Sequence, residues 1–277
     1  MIRIVTDSSC DLPSDEIARH RVTIVPLTIR FGDEEFVDGV DLSVEEFWQR
    51  LEHTGVLPET ATPSVGRFHE AFRTLISEGA DGIVVVCISA EMSGTAGAAR
   101  VAAEHTAAGI PIRVVDSRSV SLALGLSASA AAERAATTGS IEAVVEATED
   151  AAARTELFAV LDTLDHLHRG GRIGGAAAFV GELMRVKPLI SIDDGRVAAA
   201  GRTRTRKRAV AAIVEHVAER AGDIERIGII HSGHDDLEQI TAAIDDLVDT
   251  TPLVARLGPV VGTHAGPGAL GVVYRRR

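Results

Sequence analysis

Four short polar stretches hold the residue types that can do chemistry. They read TDSSCDLP at 6–13, TATPS at 60–64, CISAEMSGTAGAAR at 87–100 and GPVVGTHAGPGALG at 258–271. In the third, Ser93, Gly94 and Thr95 stand where an apolar run gives way to an Ala-rich one. Free backbone N–H groups, a positive helix end and hydroxyl donors would converge there on an anion such as a carboxylate or a phosphate. The same residues also suit an ordinary helix cap with a glycine easing the turn, and the turn alone leaves both readings open. Thr60 offers another hydroxyl, or simply punctuates a loop before Pro63. His264 lies among glycines that give it little local packing, so it is either a hydrogen-bonded structural ring or a functional one.

Several other chemistries lack their spacing. HLH at 166–168 and HSGHDD at 231–236 do not have the spacing of a metal site, and none is expected. There is no Walker lysine motif and no GxGxxG turn at the first strand, so no nucleotide cofactor is expected. Ser93 is not in a G-x-S-x-G elbow. An enzyme using Asp7, Ser93 and His264 on a small phosphorylated or carboxylated substrate is the rival reading, although Ser93 has no identifiable base. The basic run RTRTRKR at 202–208 enters a helical segment at the end where cations oppose the macrodipole, a cost of about 0.3–1 kcal/mol each. That placement suits a phosphate or an acidic partner. It also suits a solvated face balanced by neighbouring acids. Arg169 and Arg172, in HRGGRI, carry the same two readings.

The elements that must position these residues follow from the apolar pattern. RIVT, GIVVVCIS and IRVVD read as strands separated by amphipathic helices, the pattern of an α/β domain with a mainly parallel sheet. Pro26 suggests an edge or a bend in VTIVPLTIRF. Ser43 and Glu46 form a capping box before VEEFWQRLEHT, and Ser64 opens the next helix. A long Ala-rich helical region is interrupted at Gly139 and Ser140. After about residue 155 the style becomes α+β: ELFAVLD is a strand, and KPLISIDDGRVAAAGRTR has the Asp-Gly turn of an antiparallel hairpin. The expected organisation is an α/β domain at 1–155 with the anion-binding turns and an α+β domain at 156–277, with a ligand cleft between them.

Composition narrows the function. The chain has 277 residues and a net charge of -12, which argues against general affinity for nucleic acid or an anionic membrane. The N-terminus enters a strand at once, without the pattern of a signal peptide, and no apolar run is long enough to span a bilayer. The expected location is the cytoplasm, and the expected state is a monomer. Residues are 45% hydrophobic but only 3% aromatic, so the walls of any apolar pocket are aliphatic. Cys10 and Cys87 read as packed thiols.

Taken together and in this order, the stretches resemble the DegV family, whose members include the fatty-acid-binding subunit of bacterial fatty acid kinase. The resemblance covers essentially the whole chain. It rests on TDSSCDLP, TATPS, ISAEMSGTAGAA, VDSRSVSLALG, LHRGGRI, RTRTRK and GPVVGTHAGPGALGVVY. It implies a long-chain fatty acid held between two domains, with its carboxylate bound by Thr60, Ser93 and Gly94 beside His264. It further implies that a separate ATP-dependent kinase phosphorylates the carboxylate, so that the carrier is not itself catalytic; a lipid carrier serving a non-kinase partner is a further alternative. The match of Arg202 to the arginine opening the family's R-T-R-K motif implies a role in that step, with Arg169 and Arg172 as further phosphate or kinase contacts. Transient membrane contact would serve lipid exchange. Ala61 and Thr62 replace the family's Ser and Gln, and Ala96 replaces its tyrosine, which alters the polar contacts and the shape of the pocket.

Overall fold

The computed structural model describes residues 1–106, 109–179, 186–233 and 236–277. β1 (Ile2–Asp7) leads to α1 (Ser14–His20), with Pro13 at its N-cap. The extended run that follows divides at Pro26. β2 (Thr23–Val25) pairs in parallel with β1, whereas β3 (Thr28–Phe31) joins β4 (Glu34–Val37) in a separate antiparallel sheet. Proline fixes φ and lacks an N–H, so the ladder breaks there. α2 (Val44–Thr54) has the expected capping box: Ser43 Oγ accepts the Glu46 N–H at 3.2 Å, and Glu46 accepts the Ser43 N–H at 2.9 Å. β5 (Glu59–Ala61) is the third strand of the small sheet, paired with β3. α3 (Val65–Ser77), β6 (Gly82–Cys87), α4 (Thr95–His105) and β7 (Ile112–Asp116) complete a parallel sheet of order β2-β1-β6-β7. All six residues of β6 are buried, as expected for a central strand covered on both faces.

α5 (Leu122–Thr137) and α6 (Ile141–Arg154) follow, broken at 138–140 as the Gly-Ser pair predicts. Next come β8 (Thr155–Val160), α7 (Asp165–Arg169), β9 (Lys187–Asp193), β10 (Arg196–Thr203), α8 (Arg206–Ala218) and β11 (Ile224–His231). The chain closes with α9 (Leu237–Asp245), β12 (Leu253–Arg256), α10 (Pro259–Ala265) and β13 (Leu270–Arg276). The second sheet has the order β10-β9-β8-β13-β11-β12, antiparallel except for β11 with β12. Its hairpin turns on Asp194 and Gly195, both at positive φ, 49° and 80°. That is the backbone an Asp-Gly turn favours.

Three segments go beyond the sequence expectation or differ from it. Residues 259–265, whose conformation the glycine-flanked sequence leaves unread, form α10, with Pro259 at its start, where its missing N–H costs nothing. TATPS places Thr60 on β5, not in a loop. α8 also begins earlier than the apolar pattern suggests, with Thr205 as its cap, so Arg206, Lys207 and Arg208 occupy its first turn. His234 and Asp235, from the HSGHDD stretch, lie outside the described residues.

α5 lies between the two larger sheets, touching β1 and β6 on one side and β8 and β13 on the other. Every residue from Leu122 to Ser129 is buried. Its small side chains let both sheets close over a single helix. A Cβ at Gly125 would stand 2.7 Å from the Cys10 carbonyl oxygen and 2.8 Å from Leu12 Cγ. One apolar cluster therefore runs through the molecule, taking in Ile2, Val84, Leu126, Leu161 and Val273. Trp48 of α2 is buried, packs edge-on against Phe47, and donates its indole N–H to the Leu257 carbonyl at 2.9 Å. Cys10 and Cys87 are buried thiols whose pKa values are pushed up by that burial. Among the described residues, no helix is long and apolar enough to cross a membrane.

Candidate functional site

An apolar cavity lies between one face of the second sheet and the loops that follow β2, β6 and β7 of the first. The period of two along β8 turns Leu157 and Ala159 to one face, continued by Leu161 beyond the strand, and all three line it. Phe158 and Val160 point the other way, into a separate core. Ile190 and Ile192 of β9 extend the same wall; Leu27, Ile88 and Val120 contribute from the first half of the chain, and Val260 and Val261 from α10. The cavity holds about 900 Å³ of space between atoms, including the part open to solvent. Its walls are aliphatic, as the low aromatic content predicts.

One end is polar. Thr60, Thr62, Ser93, Arg172 and His264 line it. Thr60 Oγ1 and His264 Nε2 are 3.0 Å apart, so β5 and α10 meet through this pair. Ser93 precedes α4, with its backbone N–H on the Ser89 carbonyl at 3.0 Å and its hydroxyl 2.8 Å from that of Thr95. The N-cap of α4 is Gly94, and the Ser93 hydroxyl accepts the Thr95 N–H at the start of the helix at 3.4 Å. The His264 ring is mostly buried. Burial, then Arg172 and His166, push its pKa down to about 4, which leaves it neutral at pH 7. Its Nδ1 is buried with no hydrogen-bond partner. Gly170 packs directly on that atom: a Cβ there would come within 2.3 Å of it.

Asp7 does not join this group. It is fully buried, with one carboxylate oxygen accepting the Ile88 N–H at 2.8 Å and the other the Ser9 N–H at 3.1 Å. Burial pushes its carboxyl pKa up. It braces the backbone at the end of β6 and does not line the cavity. The grouping of Asp7 with Ser93 and His264 is not assembled.

A second cavity, about 740 Å³, opens from the polar end. It shares Thr60, Arg172 and His264 with the first and adds His166 and Arg169. Arg172 bridges two parts of the rim, donating to the Met92 carbonyl at 3.1 Å and to the Gly170 carbonyl at 2.6 Å. Arg169 and Arg172 thus face the mouth, where Glu59 also lies but is paired with Arg30, and the balance favours an anion there. Arg202 is elsewhere: it is exposed on β10, opposite Pro188, and lines neither cavity.

Sequence reasoning missed Ser121 and Asp11. Ser121 lines the cavity with φ at 59° and donates its hydroxyl to Asp11 at 2.5 Å. Asp11 also accepts the Gly258 N–H at 2.9 Å, joining the start of α5 to the start of α10. Burial pushes its carboxyl up to about 7. The two residues are 110 positions apart, and no local pattern marks them as partners.

The family model described as "Uncharacterised protein, DegV family" matches residues 1–277. A DegV domain-containing protein of Streptomyces coelicolor is 41% identical over 282 residues, covering 100% of this chain and 99% of that protein. One from Deinococcus radiodurans is 37% identical over 275 residues, covering 98% and 97%. Among solved structures, a DegV family protein from Thermus thermophilus, described by its fatty acid binding, matches with a TM-score of 0.89 at 34% identity, covering 100% of this chain and 99% of that one. DegV of Bacillus subtilis, described as a fatty acid binding protein, matches at 0.88 with 29% identity and coverages of 100% and 99%. A stearic acid-binding protein from Eubacterium ventriosum matches at 0.88 with 26% identity and coverages of 99% and 98%. With its α/β architecture shared along the full length of these relatives and the family model spanning every residue, the chain belongs to the DegV family.

Proposed function

We propose that the protein binds a long-chain fatty acid, with the acyl chain in the apolar cavity and the carboxylate at Thr60, Ser93, Gly94 and His264. The observation that carries this reading is an aliphatic cavity ending in neutral hydroxyl donors at a cationic mouth. The fatty-acid binding described for the structural relatives supports it. Each methylene buried against the aliphatic wall contributes about 0.8 kcal/mol. Neutral donors hold the head without the stronger charge-assisted bond of an ion pair, and so leave the carboxylate able to react. The carrier presents that group to a separate ATP-dependent kinase, which forms the acyl phosphate, and does no catalysis itself. Arg169 and Arg172 attract the developing phosphate at the mouth, and Arg202, exposed within the basic run, meets the kinase. The protein acts in the cytoplasm as a monomer, in transient contact with a membrane when lipid is exchanged.

The test is to denature freshly purified protein, extract it with organic solvent and identify released lipid by mass spectrometry, with native mass spectrometry giving the stoichiometry. One fatty acid per chain is expected, lost in a folded Thr60→Ala plus Ser93→Ala variant. Absence of lipid, together with no binding of added fatty acids of varied length, would overturn the reading.

A further inference from the structure

The apolar cavity has a second end, away from the mouth. β8 runs from Leu157 through Ala159 toward Leu161 and α7, which borders the mouth, so Leu157 lies at the opposite extreme. Four residue steps at about 3.3 Å each put it about 13 Å from Leu161. The register of β8 with β9 ends at Phe158 opposite Ser191. The next position along the two strands is Leu157 facing Ile192, and there the sheet opens. Beyond lies a further cavity, on the outer side of the hairpin, that shares only Leu157 and Ile192 with the apolar one. Its lining mixes ionic side chains, among them Asp116, Arg118, Glu149, Glu156, Asp193 and Asp194, with alanines and Phe158, and is far more polar than the slot.

We propose that Leu157 and Ile192 are the terminal stop of the acyl slot and set the longest chain the protein binds well. The inference rests on the fatty-acid reading above and deepens it. Up to these two side chains, every methylene gains aliphatic contact. Past them it meets charged groups and water, where the gain vanishes. The stop is held in place because the hairpin tip is fastened to the first half of the chain. Ser89 Oγ donates to the Gly195 carbonyl at 2.7 Å, Arg118 to the Asp194 carbonyl at 2.8 Å, and Arg196 to Glu91 at 2.9 Å. These bonds lie two to four residues beyond Ile192 and limit its retreat from a longer chain.

The experiment measures dissociation constants for straight-chain saturated acids, dodecanoic to docosanoic, delivered from cyclodextrin. It uses the unaltered protein and the Leu157→Ala, Ile192→Ala and Ile192→Phe variants, each checked for folding by circular dichroism. For the unaltered protein the constant should fall about fourfold per added methylene, the equivalent of about 0.8 kcal/mol, and then stop falling at one length. Both alanine variants should move that break to longer acids, and Ile192→Phe to shorter ones. The phenylalanine variant leaves no void at the position, so it decides the matter even if an alanine variant unfolds. A break that no folded variant moves would overturn the stop while leaving the carrier reading intact, as would a constant that falls without a break through docosanoic acid. No binding of any acid by the unaltered protein would overturn the carrier reading and the stop together.

Discussion

His264 faces the mouth as an uncharged ring because burial, Arg172 and His166 together lower its pKa to about 4. An imidazolium there would repel the arginine at its side, whereas the neutral ring can share a proton with Thr60 at no electrostatic cost. The same shift has a consequence for stability. Between about pH 4 and the ordinary value of 6.5, the unfolded chain takes up a proton at this residue and the folded chain does not. The contribution of the ring is therefore complete above pH 6.5 and is lost as pH falls toward 4. Thermal melts across that window should show a falling midpoint for the unaltered protein and a shallower fall for His264→Gln. Equal slopes would mean that the ring titrates normally in the folded state.

At the scale of elements, α5 shows how composition becomes architecture. The sequence marks it only as part of a long Ala-rich helical region, and in the fold it is buried on nearly every side so that two sheets can approach each other. Gly125→Ala should destabilise the protein by about 1–3 kcal/mol, because its methyl would press on the Cys10 carbonyl and on Leu12. Urea unfolding checks this, and an unchanged midpoint would show that the helix can shift. Most strands and helices of the first half were legible because their signals are local: the buried run of β6, the capping box of α2, and Pro26 at the break between β2 and β3. α10 was hidden because glycines at 258, 262 and 266 look like a loop, and its helical form depends on packing against α2 and α7. β5 was hidden because three residues carry no periodicity, and only β3 makes them a strand. The family motifs marked Thr60, Ser93 and His264, but the tail end of the cavity was not legible. It depends on where the ladder between β8 and β9 stops, which is set by tertiary geometry.

At the scale of the whole molecule, the apolar cluster that passes through α5 ties the fate of both sheets together. A division near residue 155 is proposed for the chain, yet neither side can keep its core once α5 loses one of its two sheets. Calorimetry should accordingly show one heat-capacity peak, displaced upward when fatty acid is added. Two separable peaks would mean that the halves unfold independently. The contact between Trp48 and the Leu257 carbonyl crosses the same boundary, and the chain has a single tryptophan. Its light emission thus comes from one spot between the halves. Any parting that admitted water to that spot would shift the emission to longer wavelength, so the opening and closing of the protein can be timed optically without attaching a dye.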